Sequence, residues 1–235
     1  MIEAVAERVD QSTELVFLHT AAVHVQTFDT LLRELRPLVR ARHVVREDLL
    51  SAAQRHDTDN ASVRSAVAHA IADIGATPGS VVLCTCSTIG GLAEAAATST
   101  PARVMRVDRA MAERAVAAGP NIQVVAALAS TLVPTETLIV EAASRAGVDA
   151  RITRLVLEDA WPLFLQGDYE AYLRRIADSM KTLKDCDVVV LAQASMAGAA
   201  ELCPGLAVPV LSSPRTGLES ALAVMDAYAS KAGAQ

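Results

Sequence analysis

Two short segments hold the residues best suited to chemistry. Cys84-Thr85-Cys86-Ser87-Thr88 sets two thiols among hydroxyls directly after the apolar run Val81-Val82-Leu83. Gln193-Ala194-Ser195 sets an amide and a hydroxyl after Val189-Val190-Leu191-Ala192. A thiol at a helix N-terminus gains thiolate character and can act as acid, base or nucleophile. Hydroxyls and free backbone N–H groups at such a terminus make a ready carboxylate site. An amide can orient a ligand but cannot accept or deliver a proton as a general base or acid. The asymmetry between thiol and amide is therefore the main clue to function.

Each segment is a β-branched apolar run, a few small polar residues, then glycine and an alanine-rich stretch. That pattern predicts a buried parallel strand, a tight loop and a helix N-terminus. The surrounding chain alternates strand and helix, and it repeats: Val81 aligns with Val189, Glu14 with Ile122 and Thr27 with Thr135, at one offset of 108 residues. Two βαβαβαβα units follow, an α/β fold of two pseudo-symmetric, Rossmann-like or flavodoxin-like parallel-sheet halves facing a shared cleft. Asp108, Thr135 and Asp168 are expected to cap helices, and Pro214 to open the last one. Ligands of such sheets bind beyond the carboxyl ends of the strands. This adds His19, Thr20 and His24 from the first loop and Ser130 and Thr131 from its counterpart.

Composition narrows the classes. The 235 residues are 52% hydrophobic but only 3% aromatic, so the core is aliphatic and suits helices packed closely on a sheet. A net charge of −6 with no basic stripe argues against nucleic acid. No apolar stretch is long enough to cross a bilayer, and the N-terminus lacks the order of a signal peptide. Four cysteines without a disulfide framework fit a reducing cytoplasm. Neither a Walker A nor a GxGxxG motif occurs, which disfavours a nucleotide. Cys84-x-Cys86 matches no common zinc spacing, and no metal site is assigned. Cys84 reads as core, Cys186 and Cys203 as structural, and His43, His56 and His69 as surface residues. Glu158-Asp159 reads as a solvated loop. Trp161 stays open among lid, oligomer contact and packing; a homo-oligomer is compatible with this reading.

Cys84-Thr85-Cys86-Ser87-Thr88 after a Val-rich strand, with Leu191-Ala192-Gln193-Ala194-Ser195-Met196-Ala197 about a hundred residues on, resembles the aspartate/glutamate/hydantoin racemase superfamily. Arg103-Val104-Met105-Arg106-Val107 and Pro209-Val210-Leu211 extend the resemblance over most of the chain. It implies cofactor-independent chemistry on an amino acid or dicarboxylate, and a C-terminal helix that returns to the first half. The halves are then 1–101 plus 209–235, and 102–208. Typical racemases of the superfamily place one cysteine after the third strand of each half; here the second position falls on Gln193. Two registers are open for the first position: the family pattern selects Cys86, whereas the gapless internal repeat pairs Gln193 with Thr85. A symmetric two-thiol racemase is disfavoured in both. The expected function is a cofactor-independent isomerase or lyase acting on a small carboxylate. Cys86, Gln193 and Thr85 are the reacting or orienting residues, and Ser87, Thr88, Ser130, Thr131, Ser195 and His19 bind the substrate. The competing reading is a non-catalytic carboxylate-binding protein that kept the cleft and lost the acid/base pair.

Overall fold

A computed structural model describes residues 14–232. The first half runs β1 (Leu15–His19), α1 (Val23–Leu35), β2 (Ala41–Val45), α2 (Glu47–His56), α3 (Ala61–Ile74), β3 (Val81–Cys84), α4 (Ser87–Ala95), β4 (Arg103–Arg106) and α5 (Arg109–Ala118). The second runs β5 (Asn121–Ala126), α6 (Leu132–Ala146), β6 (Arg151–Val156), α7 (Trp161–Leu165), α8 (Tyr169–Met180), β7 (Val188–Leu191), β8 (Val210–Ser212) and α9 (Ser213–Ala232). Two parallel four-stranded sheets result, ordered β2-β1-β3-β4 and β6-β5-β7-β8. β1, β3 and β7 are buried along their whole length, as continuous apolar runs require, whereas the edge strands β2 and β6 are half-exposed.

The two halves exchange their last helices. α5 leaves the first sheet and packs Met111, Ala112, Ala115 and Val116 against Ile122, Val124, Val188 and Val190 of the second. α9 leaves the second sheet and packs Leu218, Ala221, Leu222 and Met225 against Leu15, Phe17, Val81 and Leu83 of the first. Gly217 permits this return, because a Cβ there would stand 2.2 Å from the Val107 carbonyl oxygen. The strands divide differently from the expected ranges: β4 belongs to the first sheet and β8 to the second.

The repeat offset is 107, not 108. Thr85 donates its N–H to Leu18 O as the chain leaves β3, and Ala192 donates to Val125 O as it leaves β7. Ladder bonds alternate with a period of two, so an offset of 108 would turn every side chain to the wrong face. The cores agree: Val16, Leu18, Val82 and Cys84 share one face of the first sheet, and Val125, Val189 and Leu191 share the matching face of the second.

Several local expectations change. α6 starts at Leu132, so Thr135 lies inside the helix, buried and without a hydrogen-bond partner for Oγ1. Asp108 precedes α5 but commits its carboxylate to Arg106 instead of the helix amides. Asp168 does cap α8, accepting from Ala171 N at 3.1 Å. α1 begins at Val23, and α2 follows β2 directly at Glu47.

Candidate active site

The corrected register superposes Cys86 on Gln193, and their backbones agree. Each is the N-cap residue of the turn that follows its strand, with φ −111° and ψ 115° at Cys86 and φ −122° and ψ 140° at Gln193. In the strand register Cys86, and not Thr85, is the counterpart of Gln193; Thr85 superposes on Ala192.

Cys86, Thr85, Ser87, Thr88, Thr131, Gln193 and Ser195 line one small pocket between the sheets, of about 40 Å³. Thr20 and His24 join them, and Leu50, Leu128, Trp161 and Phe164 form an apolar wall. Among the described residues, no Asp, Glu, Lys or Arg side chain lines it. Trp161 stacks on Phe164 with centroids 4.8 Å apart. Two expected binding residues lie elsewhere. His19 sits one layer behind Thr85, with Nδ1 2.8 Å from Thr85 Oγ1. Ser130 lines an adjoining open cleft of about 740 Å³ with Thr88 and Arg106, because the turn Ala129–Thr131 points it away from the pocket.

Burial pushes the Cys86 thiol above its ordinary pKa. Hydrogen bonds from the Thr20 hydroxyl, the N–H groups of Ile89 and Thr88 and the Thr88 hydroxyl oppose that shift without overcoming it. The thiolate character expected from a helix N-terminus therefore does not prevail: Cys86 is a protonated thiol already surrounded by donors for the thiolate it would become. Cys84 is fully buried, and burial raises its pKa as well. Cys203 donates to Ala177 O at 3.3 Å, away from the pocket.

The opposite side is built for holding. Gln193 Oε1 accepts from Ala127 N at 2.7 Å and Leu128 N at 3.1 Å. With its oxygen so committed, Gln193 has only N–H donation left to offer a ligand. Thr131 Oγ1 donates to Leu128 O at 2.6 Å, and Ser195 Oγ lies 2.9 Å from the Tyr172 hydroxyl. Ser87 Oγ and His24 Nδ1 are buried with no protein partner. Burial lowers His24 to a pKa of about 4, so the ring is neutral near neutral pH.

Residues the sequence reading passed over support this layer. His43 lies mostly inside rather than on the surface, with Nδ1 2.8 Å from His19 Nε2 and Nε2 3.1 Å from Asp29 Oδ1. Arg106 and Asp108 form a buried bidentate pair at 2.6 and 2.9 Å. Gly90 admits this pair, since a Cβ there would meet the Arg106 side chain at 3.1 Å. The i, i+2 spacing of Arg106 and Asp108 was visible in the sequence, but their burial was not. Glu158 and Asp159 are exposed, and Asp159 pairs with Arg175 at 2.8 Å.

The sequence matches no protein-family model and no curated protein. Solved structures do match its fold. A glutamate racemase, isoform RacE1, from Bacillus anthracis superposes with a TM-score of 0.67 at 14% identity, over 92% of this chain and 82% of that one. Allantoin racemase from Pseudomonas fluorescens gives 0.57 at 19% identity, over 91% of each chain. A double mutant of arylmalonate decarboxylase in its liganded form gives 0.56 at 15% identity, over 91% of this chain and 92% of that one. The chain shares the two-sheet α/β fold of these racemases and of arylmalonate decarboxylase.

Proposed function

We propose that this protein is a cofactor-independent isomerase or lyase that acts on a small carboxylate, with Cys86 as the proton donor. The carrying observation is the place of Cys86: it caps α4 and lines the small pocket together with Gln193, and burial holds its thiol above the ordinary pKa although Thr20, Thr88 and the Ile89 N–H act against that shift. A carbanion formed in the pocket takes the Sγ proton, and the new thiolate meets donors already in place. The hydroxyl of Ser87 and the amide N–H of Gln193 would hold the carboxylate, since among the described residues no lysine or arginine lines the pocket. The pocket's volume favours a ligand of a few heavy atoms. Racemisation by two facing thiols is not part of the proposal, because Gln193 stands where the second thiol would be. A thiol that must stay reduced fits a cytoplasmic setting.

The fold neighbours, racemases and a decarboxylase, are consistent with proton delivery to a carbanion. The test is incubation with a panel of small carboxylic acids in deuterated water, followed by NMR. Deuterium incorporation or loss of CO₂ is expected with the native protein and is lost in Cys86→Ala. Turnover that survives in Cys86→Ala at the native rate would overturn the proposal.

A further inference from the structure

A chain of four hydrogen-bonded side chains behind the pocket has no part in the steps above. Thr85 Oγ1 lies 2.8 Å from His19 Nδ1, His19 Nε2 lies 2.8 Å from His43 Nδ1, and His43 Nε2 lies 3.1 Å from Asp29 Oδ1. The two imidazoles lie nearly coplanar along this bond, with centroids 5.1 Å apart and planes 13° apart. The inner end is sealed and the outer end is wet: His19 is 0% exposed and Thr85 1%, whereas the Asp29 side chain is 47% exposed.

One direction of hydrogen bonding keeps both rings neutral. The Asp29 carboxylate, also 3.8 Å from the Arg33 guanidinium, can only accept, so His43 Nε2 donates to it. A neutral His43 then accepts at Nδ1, and His19 donates to it through Nε2. His19 Nδ1 is left as an acceptor, and the hydrogen comes from the Thr85 hydroxyl, which lies nearer to that nitrogen than to its other acceptor, Leu18 O at 3.2 Å. The reverse direction would need a second proton on His43. Burial, together with His24 and His43, lowers His19 to a pKa of about 3, in keeping with a neutral ring. His24, with its ring centroid 6.4 Å from that of His19, and Arg33, beside Asp29, flank this chain, and His24 is neutral as well.

The fold itself does not demand these residues. The register places Ala126 and Ala192 where His19 and Thr85 stand, and the Arg154–Glu136 ion pair where His43 and Asp29 stand.

We propose that Asp29, His43 and His19 hold the Thr85 hydroxyl as a hydrogen-bond and proton acceptor toward the pocket, so that the ligand is a carboxylic acid carrying an O–H, N–H or acidic C–H donor beside its carboxylate. The proton balance closes. The ligand gives its proton to Thr85 Oγ1, and the hydroxyl's own proton passes to His19 Nδ1. The His19 Nε2 proton passes to His43 Nδ1, and the His43 Nε2 proton passes to Asp29 Oδ1. One proton leaves the ligand, one arrives on a carboxylate open to solvent, and neither ring becomes charged. Thr85 faces the ligand; His19, His43 and Asp29 are positioning residues. The ligand class rests on the carboxylate reading above, whereas the direction of the chain does not.

The experiment has two arms. In the first, ¹⁵N NMR of the full chain near pH 7 reads the tautomers, and both His19 and His43 are expected to carry their proton on Nε2. A proton on Nδ1 of either ring, or a doubly protonated His43, overturns the proposal. Asp29→Ala is expected to shift His43 to a mixture of tautomers. In the second arm, NMR titrations compare glycolate with fluoroacetate, which is similar in size but has no O–H. Glycolate is expected to bind roughly three- to tenfold more tightly, the worth of one hydrogen bond. The near-isosteric Thr85→Val should bring the ratio to about one, and a native ratio of one overturns the acceptor role. If neither acid binds, the carboxylate reading fails, and the tautomers still decide the direction of the chain.

Discussion

Half for half, the same backbone carries reactive side chains on one side of the pocket and inert ones on the other. Thr20, Thr85, Cys86 and Ser87 of the first half correspond to Ala127, Ala192, Gln193 and Ala194 of the second. All five histidines lie in the first half, and two of them are buried. The second half keeps its loop in shape with Gln193, whose oxygen ties down two backbone N–H groups. In the first half the equivalent position holds a sulfur, and Thr20 lines the same pocket. A duplicated fold thus supplies two equivalent loops, and under the proposed function the first carries the acid/base chemistry while the second holds the ligand. The strand ladders are alike in both halves, so the difference rests on a handful of loop side chains.

The largest effect is expected at the thiol. Cys86→Ala should lower whatever turnover the deuterium screen detects by roughly 10²- to 10⁴-fold, the usual contribution of a general acid. The reciprocal change at Gln193 should leave a measurable fraction of that turnover. A loss as large at Gln193→Ala as at Cys86→Ala would erase the distinction between the halves.

Next comes the buried ion pair, which the first sheet carries and the second does not. Arg106 and Asp108 are 5% and 0% exposed. Asp108→Ala should reduce stability by about 3–5 kcal/mol, because it strands a buried guanidinium. Urea unfolding measures this, and a loss below about 1 kcal/mol would mean that water reaches Arg106.

Acid should weaken the histidine-bearing half first. His24, with a folded pKa of about 4 against 6.5 for an ordinary histidine, is held neutral in the fold. The unfolded chain binds the proton more readily, so this stability is present above pH 6.5 and is lost as the pH falls toward 4. His19 acts in the same direction, down to about 3. By the usual relation of about 1.4 kcal/mol for each tenfold change in proton affinity, roughly 2 kcal/mol is lost from each histidine by pH 5. Hydrogen exchange at pH 5 should show β1 and β3 losing protection before β5 and β7, and His24→Asn should reduce the difference. Equal loss in both sheets would place the acid sensitivity elsewhere.

The smallest effect belongs to the holder. Gln193→Ala leaves Ala127 N and Leu128 N without their acceptor and should cost about 1–3 kcal/mol. A thermal melt reads this directly, and an unchanged melting temperature would show that water replaces the amide oxygen.

Much of this architecture was legible in the sequence. The Val-rich runs at 81–83 and 189–191 mark buried parallel strands because only a strand covered on both faces can be apolar without alternation. Cys86 and Gln193 were legible as loop residues for the same reason. The offset was misread by one residue because the two Val-rich runs align equally well at either spacing, and side-chain facing is fixed only by the ladder. His43 looked like a surface residue because an edge strand alternates, and which of its faces meets α1 depends on packing between elements far apart in the chain.

The sequence by itself determined the α/β alternation, the duplication, and the placement of a thiol in one half against an amide in the other. These follow from local period, turn chemistry and residue type. Tertiary structure alone decided that Cys86 faces Gln193, that Ser130 and His19 stand outside the pocket, that α5 and α9 change places, and that Cys86 stays protonated. Each of these depends on strand pairing or burial, which sum contributions from residues tens of positions apart. Asp29, His43, His19 and Thr85 are separated by up to 66 residues in sequence between bonded neighbours, and they meet only because β1 pairs with both β2 and β3.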